Sequence, residues 1–246
     1  MKNDKAAESA AGEGAGLDAR MTILEHLEEL RQRITKAVLA VAVTTLLCLV
    51  FTNKILEWLL LPSGGIKPIF LRPTEMFITY MRVGLIAGIA LAMPIIVYQL
   101  LRYLAPGLKP EEKKYLYTMV PGATGFFIAG VAFAYFAMLP FALKYLLTFG
   151  SDLVEAKWAI GEYISFVTSL LLWVGLSFET PMVIYFLAKL KIVNAKKLSS
   201  YRKFAIVGAF IMAALITPTP DPFNQLMVAI PIILLYELGI ILARFA

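Results

Sequence analysis

One stretch of this sequence places carboxylates and guanidinium groups within a single helical turn of each other. It is HLEELRQR (26–33), directly ahead of a long apolar run. Glu25 and Glu29 are four apart and share a helix face, with Glu28 beside them and Arg31 and Arg33 following. A second acidic pair, Glu111–Glu112, follows Pro110 in LAPGLKPEEKKYL (104–116). A carboxylate receives a guanidinium through two parallel hydrogen bonds, a geometry that a lysine ammonium does not match. Two readings stand. Both pairs are solvated starts of helices, since Pro suits the first helical position and acids suit the first turn. Alternatively, both line one patch that reads a basic peptide with adjacent arginines. The chemistry in question is recognition. His26 is the only histidine, and neither HExxH, nor GxSxG, nor a phosphate-binding P-loop occurs. No enzyme activity, metal or cofactor is expected.

A second set of polar groups lies where lipid is expected. Glu179, in LLWVGLSFETPMVIYFL (171–187), falls ~26 Å along its helix from the start of its apolar segment. A carboxylate at that depth costs a few kcal/mol and must face protein or water. It is either a polar contact or proton-sensing group in a cavity, or a buried hydrogen-bonding group that ties helices together. Asp221, Asn224 and Gln225 open the last apolar segment. They either stabilise a helix start or, for Gln225, present an amide to a partner helix. Arg82 either snorkels or pairs with a carboxylate, and Glu237 is expected to pair with Arg244 or a loop lysine.

The elements that position these groups follow from composition. Of 246 residues, 60% are hydrophobic and 16% charged, too apolar for an ordinary soluble domain. Six apolar segments, near 34–52, 76–102, 114–141, 162–189, 204–217 and 223–243, predict six transmembrane helices, because unpaired backbone amides cannot face lipid. The fold class is an all-α membrane protein, residues 21–246 forming the membrane domain. Residues 1–20 read as a disordered cytoplasmic tail without a signal-peptide apolar core. A short amphipathic helix, capped by Thr22, leads into the first span, and Thr74 caps the second. The fifth segment has 14 residues and reaches only ~21 Å, short of a ~30 Å hydrocarbon core. TPTPDP (217–222) turns it tightly into the sixth. Pro94, Pro121, Pro181 and Pro231 favour kinks and a curved wall. Gly84 and Gly88 form a small-xxx-small pair suited to close helix contact. With both termini cytoplasmic, all but six of the 23 basic residues fall inside, as the positive-inside rule requires. The net charge of +6 therefore reflects topology, and no basic, aromatic soluble face for nucleic acid is present.

The segments HLEELRQR (26–33), PTEMF (73–77), MPIIVYQLLRYLAPGLKPEEKK (93–114), FAYFAMLPFAL (133–143), YISFV (163–167), GLSFETP (175–181), PDPFNQLMVAIP (220–231) and LLYELGI (234–240) together resemble the TatC family. This is the multispanning core of the twin-arginine protein translocase, and the resemblance runs collinearly from about residue 21 to 244. It implies six kinked helices in a cupped bundle, in the bacterial cytoplasmic (inner) membrane. It implies binding of the twin-arginine signal peptides of folded substrates, TatA- and TatB-like single-span partners, self-association, and export driven by the proton-motive force. On this likeness Glu29 and Glu112 are the signal-binding glutamates, with Arg31 and Tyr103 beside them. Glu179 is the membrane-embedded acid, Gln225 the polar residue facing partner helices, and Pro62 a proline of the first outer loop. Departures from the pattern are Glu28 for an apolar residue, Tyr103 for Phe, and the longer TPTPDP turn. The alternative function is a proton-coupled secondary transporter using Glu179, although no internal repeat of the kind common in transporters is visible.

Overall fold

The computed structural model describes residues 23–65, 68–104, 110–149, 157–217 and 221–245, and of residues 110–118 the backbone alone. The expected tail, the Thr22 cap and most of the TPTPDP turn lie outside these residues. The regular elements of the described residues are helices, with one isolated β-bridge between Ile69 and Ala159. Helix α1 (Ile23–Val50) is followed by α2 (Thr52–Leu60), a 3-10 turn at Leu61–Ser63, α3 (Glu75–Leu104) and α4 (Pro110–Phe133). A π-helical turn at Ala134–Met138 joins α4 to α5 (Leu139–Thr148). Then come α6 (Ile160–Phe178), α7 (Thr180–Lys189), α8 (Ala195–Ser200), α9 (Arg202–Ile216) and α10 (Pro222–Leu242).

Among the described residues, five stretches are long and apolar enough to cross a membrane: Leu24–Val50, Glu75–Leu104, Met119–Thr148, Ile160–Lys189 and Pro222–Leu242. Their apolar side chains face outward to an extent no water-soluble fold tolerates. Leu46 is 67% exposed, Val50 77% and Leu234 63%. The sixth apolar segment forms α9, whose 15 residues span only ~22 Å.

Several local features of the helices have physical causes. The short helix expected before the first span is not separate. No Gly or Pro interrupts residues 23–50, so α1 runs unbroken and Glu29 sits on the same rod as the span. Pro94, Pro121 and Pro231 lie within helices that continue past them. The α-helical pattern breaks at Glu179, two residues before Pro181, where a kink is expected, and it also changes just before Pro140, as the π turn. Each of those prolines lacks the N–H that the carbonyl four residues earlier needs.

Two apolar clusters hold the bundle. In one, Tyr163, Ile164, Val167 and Leu170 of α6 pack with Leu139 of α5 and Ala213 of α9. In the other, Met93 and Val97 of α3 meet Met119, Ala123 and Phe127 of α4 and Phe186 of α7. Helices α1 and α3 lie antiparallel and close. A Cβ on Gly88 would fall 2.6 Å from the Thr45 Cα, and Thr44 Oγ1 donates to the Gly88 carbonyl at 2.8 Å. The Gly84/Gly88 pair is therefore a genuine close-contact site. A concave cavity of about 760 Å³ opens between α1–α4 and α6, lined by Cys48, Trp58, Pro94, Phe127, Tyr135 and Leu171 among others.

The loops at the α3 and α6 starts are pinned to each other. Ile69 N donates to the Trp158 carbonyl at 2.9 Å, and Ile160 N to the Ile69 carbonyl at 2.8 Å. The buried Tyr163 hydroxyl donates to the Leu59 carbonyl at 2.8 Å and Tyr135 to Trp58 at 2.7 Å, fixing α2 on this end of the bundle.

Candidate functional site

The α1–α3 register that brings Thr45 to Gly88 continues to the other end of the two helices. There His26, Glu29 and Arg33 fall on one face of α1, and Gln99 and Tyr103 on the facing side of α3. Arg33 Nη2 donates to Glu29 Oε1 at 3.0 Å, and Arg33 Nη1 to Gln99 Oε1 at 3.4 Å. The His26 ring stacks on Tyr103 with centroids 4.5 Å apart and planes 20° from parallel. The Glu29 and Arg33 side chains are only 14% and 18% exposed, so solvent screens this pair weakly. Glu29 Oε2 is buried and has no hydrogen-bond donor. The carboxylate thus has one oxygen held by Arg33 and the other buried without a donor, an unmet hydrogen-bonding capacity that is costly to keep.

The residues expected at this site do not all converge. Tyr103 does, through His26. Arg31 does not face Glu29: two residues further along the helix, it is 78% exposed and makes a long 3.4 Å contact with Glu28. Arg33, counted in the sequence only as partial charge compensation, is the guanidinium that engages Glu29. The signal for it was present in the His26, Glu29, Arg33 spacing of three and four. Gln99 carried no such signal, because its role depends on the packing of α3 against α1. Glu112 stands in the first turn of α4, which does begin at Pro110, but its side chain lies outside the described residues.

Glu179 sits where α6 gives way to α7, half-buried, with Oε1 buried and unpartnered. Asp221 caps α10 by accepting from Asn224 N at 2.7 Å and from Asn224 Nδ2 at 3.0 Å. Asn224 thus serves the helix start. Gln225 Nε2 donates to the Phe210 carbonyl at 3.2 Å and ties α10 to α9 within the chain. Among the described residues Glu237 pairs neither with Arg244 nor with a lysine. Its carboxylate takes the Arg202 guanidinium bidentately at 2.7 and 2.8 Å, because α9 lies antiparallel to α10 and begins beside it.

Residues 25–231 match the family model described as TatC, Sec-independent protein translocase protein. The chain belongs to the TatC family. The Carboxydothermus hydrogenoformans Sec-independent protein translocase protein TatC is 41% identical over 230 residues, 93% of this chain and 95% of that one. The chloroplastic TATC protein of Pisum sativum is 36% identical over 93% of this chain and 65% of its own length. A crystal structure of the twin arginine translocase receptor TatC superposes with a TM-score of 0.82 at 36% identity, covering 89% of this chain and 98% of that one. The all-helical architecture and the protein-translocation class of this TatC-family chain rest on these likenesses. They do not favour the secondary-transporter alternative.

Proposed function

We propose that this TatC-family protein is the receptor subunit of a twin-arginine translocase. It binds the twin-arginine signal peptides of folded proteins and, with TatA- and TatB-like single-span partners and further copies of itself, supports their proton-motive-force-driven export. In this reading α9 completes a set of six spans, and both termini lie in the cytoplasm of a bacterium whose inner membrane holds the chain. The orientation is supported by the concentration of basic residues at the loops assigned inside. The bacterial setting is supported by the 41% identity to a bacterial relative.

The observation that carries the reading is the unpartnered Oε2 of Glu29, enclosed at the end of the bundle where α1 emerges. One arginine of the peptide takes this oxygen, and Glu112, near the start of α4, takes the second. Arg33 and Gln99 hold Glu29 in place, and the His26–Tyr103 stack walls the site.

The test is binding of a labelled twin-arginine peptide to the purified full-length chain in lipid nanodiscs. A charge-assisted hydrogen bond contributes about 1.5–3 kcal/mol, so Glu29→Gln or Glu112→Gln lowers affinity by about 10- to 100-fold. Unchanged affinity in both variants overturns the assignment. A twin-lysine peptide binds more weakly than the twin-arginine one, and equal binding would reduce the contact to generic charge attraction.

A further inference from the structure

Arg82 is exposed on the span α3, seven residues from its first residue, and no described residue pairs with it. It borders a groove of about 410 Å³ between α3 and α6, walled by Met81 and Leu85 on one side and by Ser165, Thr168 and Ser169 on the other. Thr79, Thr124 and Thr168 each give their hydroxyl to the carbonyl four residues earlier, at 2.8, 2.8 and 2.6 Å. Ser165 and Ser169 make no such bond and have no partner among the described residues, so their hydroxyls remain available in the groove. A guanidinium and two uncommitted hydroxyls thus share one membrane-facing cleft.

The two helices run in the same direction and begin at the same level. Glu75 Oε1 accepts from Gly161 N at 2.8 Å, and this fixes their starts side by side. Arg82 Cα lies ~10 Å below that level and Ser165 Cα ~8 Å below it. Helical side chains slant toward the N-terminus, which carries the Arg82 guanidinium back up toward the Glu75 end and the polar boundary of the bilayer. Glu162, one turn above Ser165 on α6, is not within ion-pair distance of Arg82 among the described residues.

We propose that this groove binds the phosphate of an anionic phospholipid from the leaflet at the Glu75 end. The Arg82 guanidinium meets the phosphate oxygens, Ser165 and Ser169 bond the phosphate or the adjoining ester oxygens, and an acyl chain lies along Met81 and Leu85. The direction of Arg82 favours this occupant over a carboxylate on a neighbouring helix at mid-membrane depth. Guanidinium matches phosphate bidentately, and the apolar wall matches the chain.

The experiment uses the full chain purified in detergent and titrated with phosphatidylglycerol or phosphatidylcholine, with bound lipids counted by native mass spectrometry. The wild type retains phosphatidylglycerol in preference to phosphatidylcholine. Arg82→Gln lowers phosphatidylglycerol affinity by about tenfold, the loss of one charge-assisted contact, while Arg82→Lys keeps part of it. Should Arg82→Gln not fold, the Ser165→Ala/Ser169→Ala double variant gives the same reading with a smaller loss. Twin-arginine peptide binding at Glu29 is unchanged in all of these variants, which separates this site from that one. Equal lipid retention by the wild type and the variants overturns the proposal. So does disulfide trapping, through a cysteine placed at Ser165, of a second copy or of a partner helix in the groove.

Discussion

Glu75 Oε1 accepts the amide hydrogen of Gly161 at 2.8 Å, and its Oε2 accepts those of Leu71 and Arg72 at 2.7 and 3.3 Å. One carboxylate therefore caps the start of α6, closes the loop before α3 and sets both helices at one height. The space is tight as well: a Cβ on Gly161 would come within 2.9 Å of that same oxygen. The N-terminal end of a helix offers free amides and a partial positive charge, so an acid is the natural partner there.

Replacing Glu75 by Ala leaves three amides without their acceptor. The expected result is a lower unfolding temperature in detergent and faster hydrogen exchange at Gly161 and Leu71, with Glu75→Gln intermediate. Exchange unchanged at Gly161 would mean that the loop pairing of Ile69 with Trp158 and Ile160 suffices without the carboxylate.

Gly88→Ala places a methyl group 2.6 Å from the Thr45 backbone, where no side-chain rotation relieves it. Helices α1 and α3 must separate, and overpacking of this kind costs about 1–3 kcal/mol. Thermal unfolding of Gly88→Ala against Gly125→Ala, where a Cβ meets nothing within 4 Å, isolates the effect. The two variants behaving alike would refute it. Because His26 and Glu29 ride on the same α1, twin-arginine peptide affinity falls in Gly88→Ala too.

Tyr163→Phe removes the donor that serves the Leu59 carbonyl at 2.8 Å, at a residue only 1% exposed. An unsatisfied buried carbonyl costs about 1–3 kcal/mol. The decrease is read as a fall in unfolding temperature, with α2 becoming more accessible to a protease or a thiol probe at Trp58→Cys. Peptide binding at the opposite end of α1 is unaffected.

Asp221→Ala deletes the cap that accepts from Asn224 N, and it removes the one side-chain hydrogen bond of the fully buried Asn224. Loss of a cap of this type costs about 1 kcal/mol. Restoration by Asp221→Ser, measured by unfolding, distinguishes capping from a charge effect.

Glu179→Gln keeps the size of a side chain whose Oε1 is buried and unpartnered, and replaces an ionisable carboxyl by a neutral amide. The peptide affinity of this variant stays at the wild-type level while export of a twin-arginine substrate by reconstituted vesicles falls. Normal export would remove Glu179 from the transport step.

The sequence by itself determined the all-α membrane class, since long apolar runs leave a helix as the form that satisfies every backbone amide in lipid. It also determined the family, because eight motifs in fixed order leave little room for another reading. Glu29 was legible as a candidate from charge placed against the local trend. Which arginine faces it was not. Arg31 and Arg33 differ by two positions, and only the face that α1 turns to α3 decides between them. Gln99, Glu75 and Arg202 gained their roles from residues 66, 86 and 35 positions away, distances over which periodicity carries no information. The same holds for the break at Glu179 and the π turn before Pro140: the apolar segments hold five prolines, Pro94, Pro121, Pro140, Pro181 and Pro231, and the α-helical pattern changes beside two of them. Local spacing fixes what a helix presents; the register between helices, set here by Gly88 against Thr45 and Glu75 against Gly161, fixes what those groups meet.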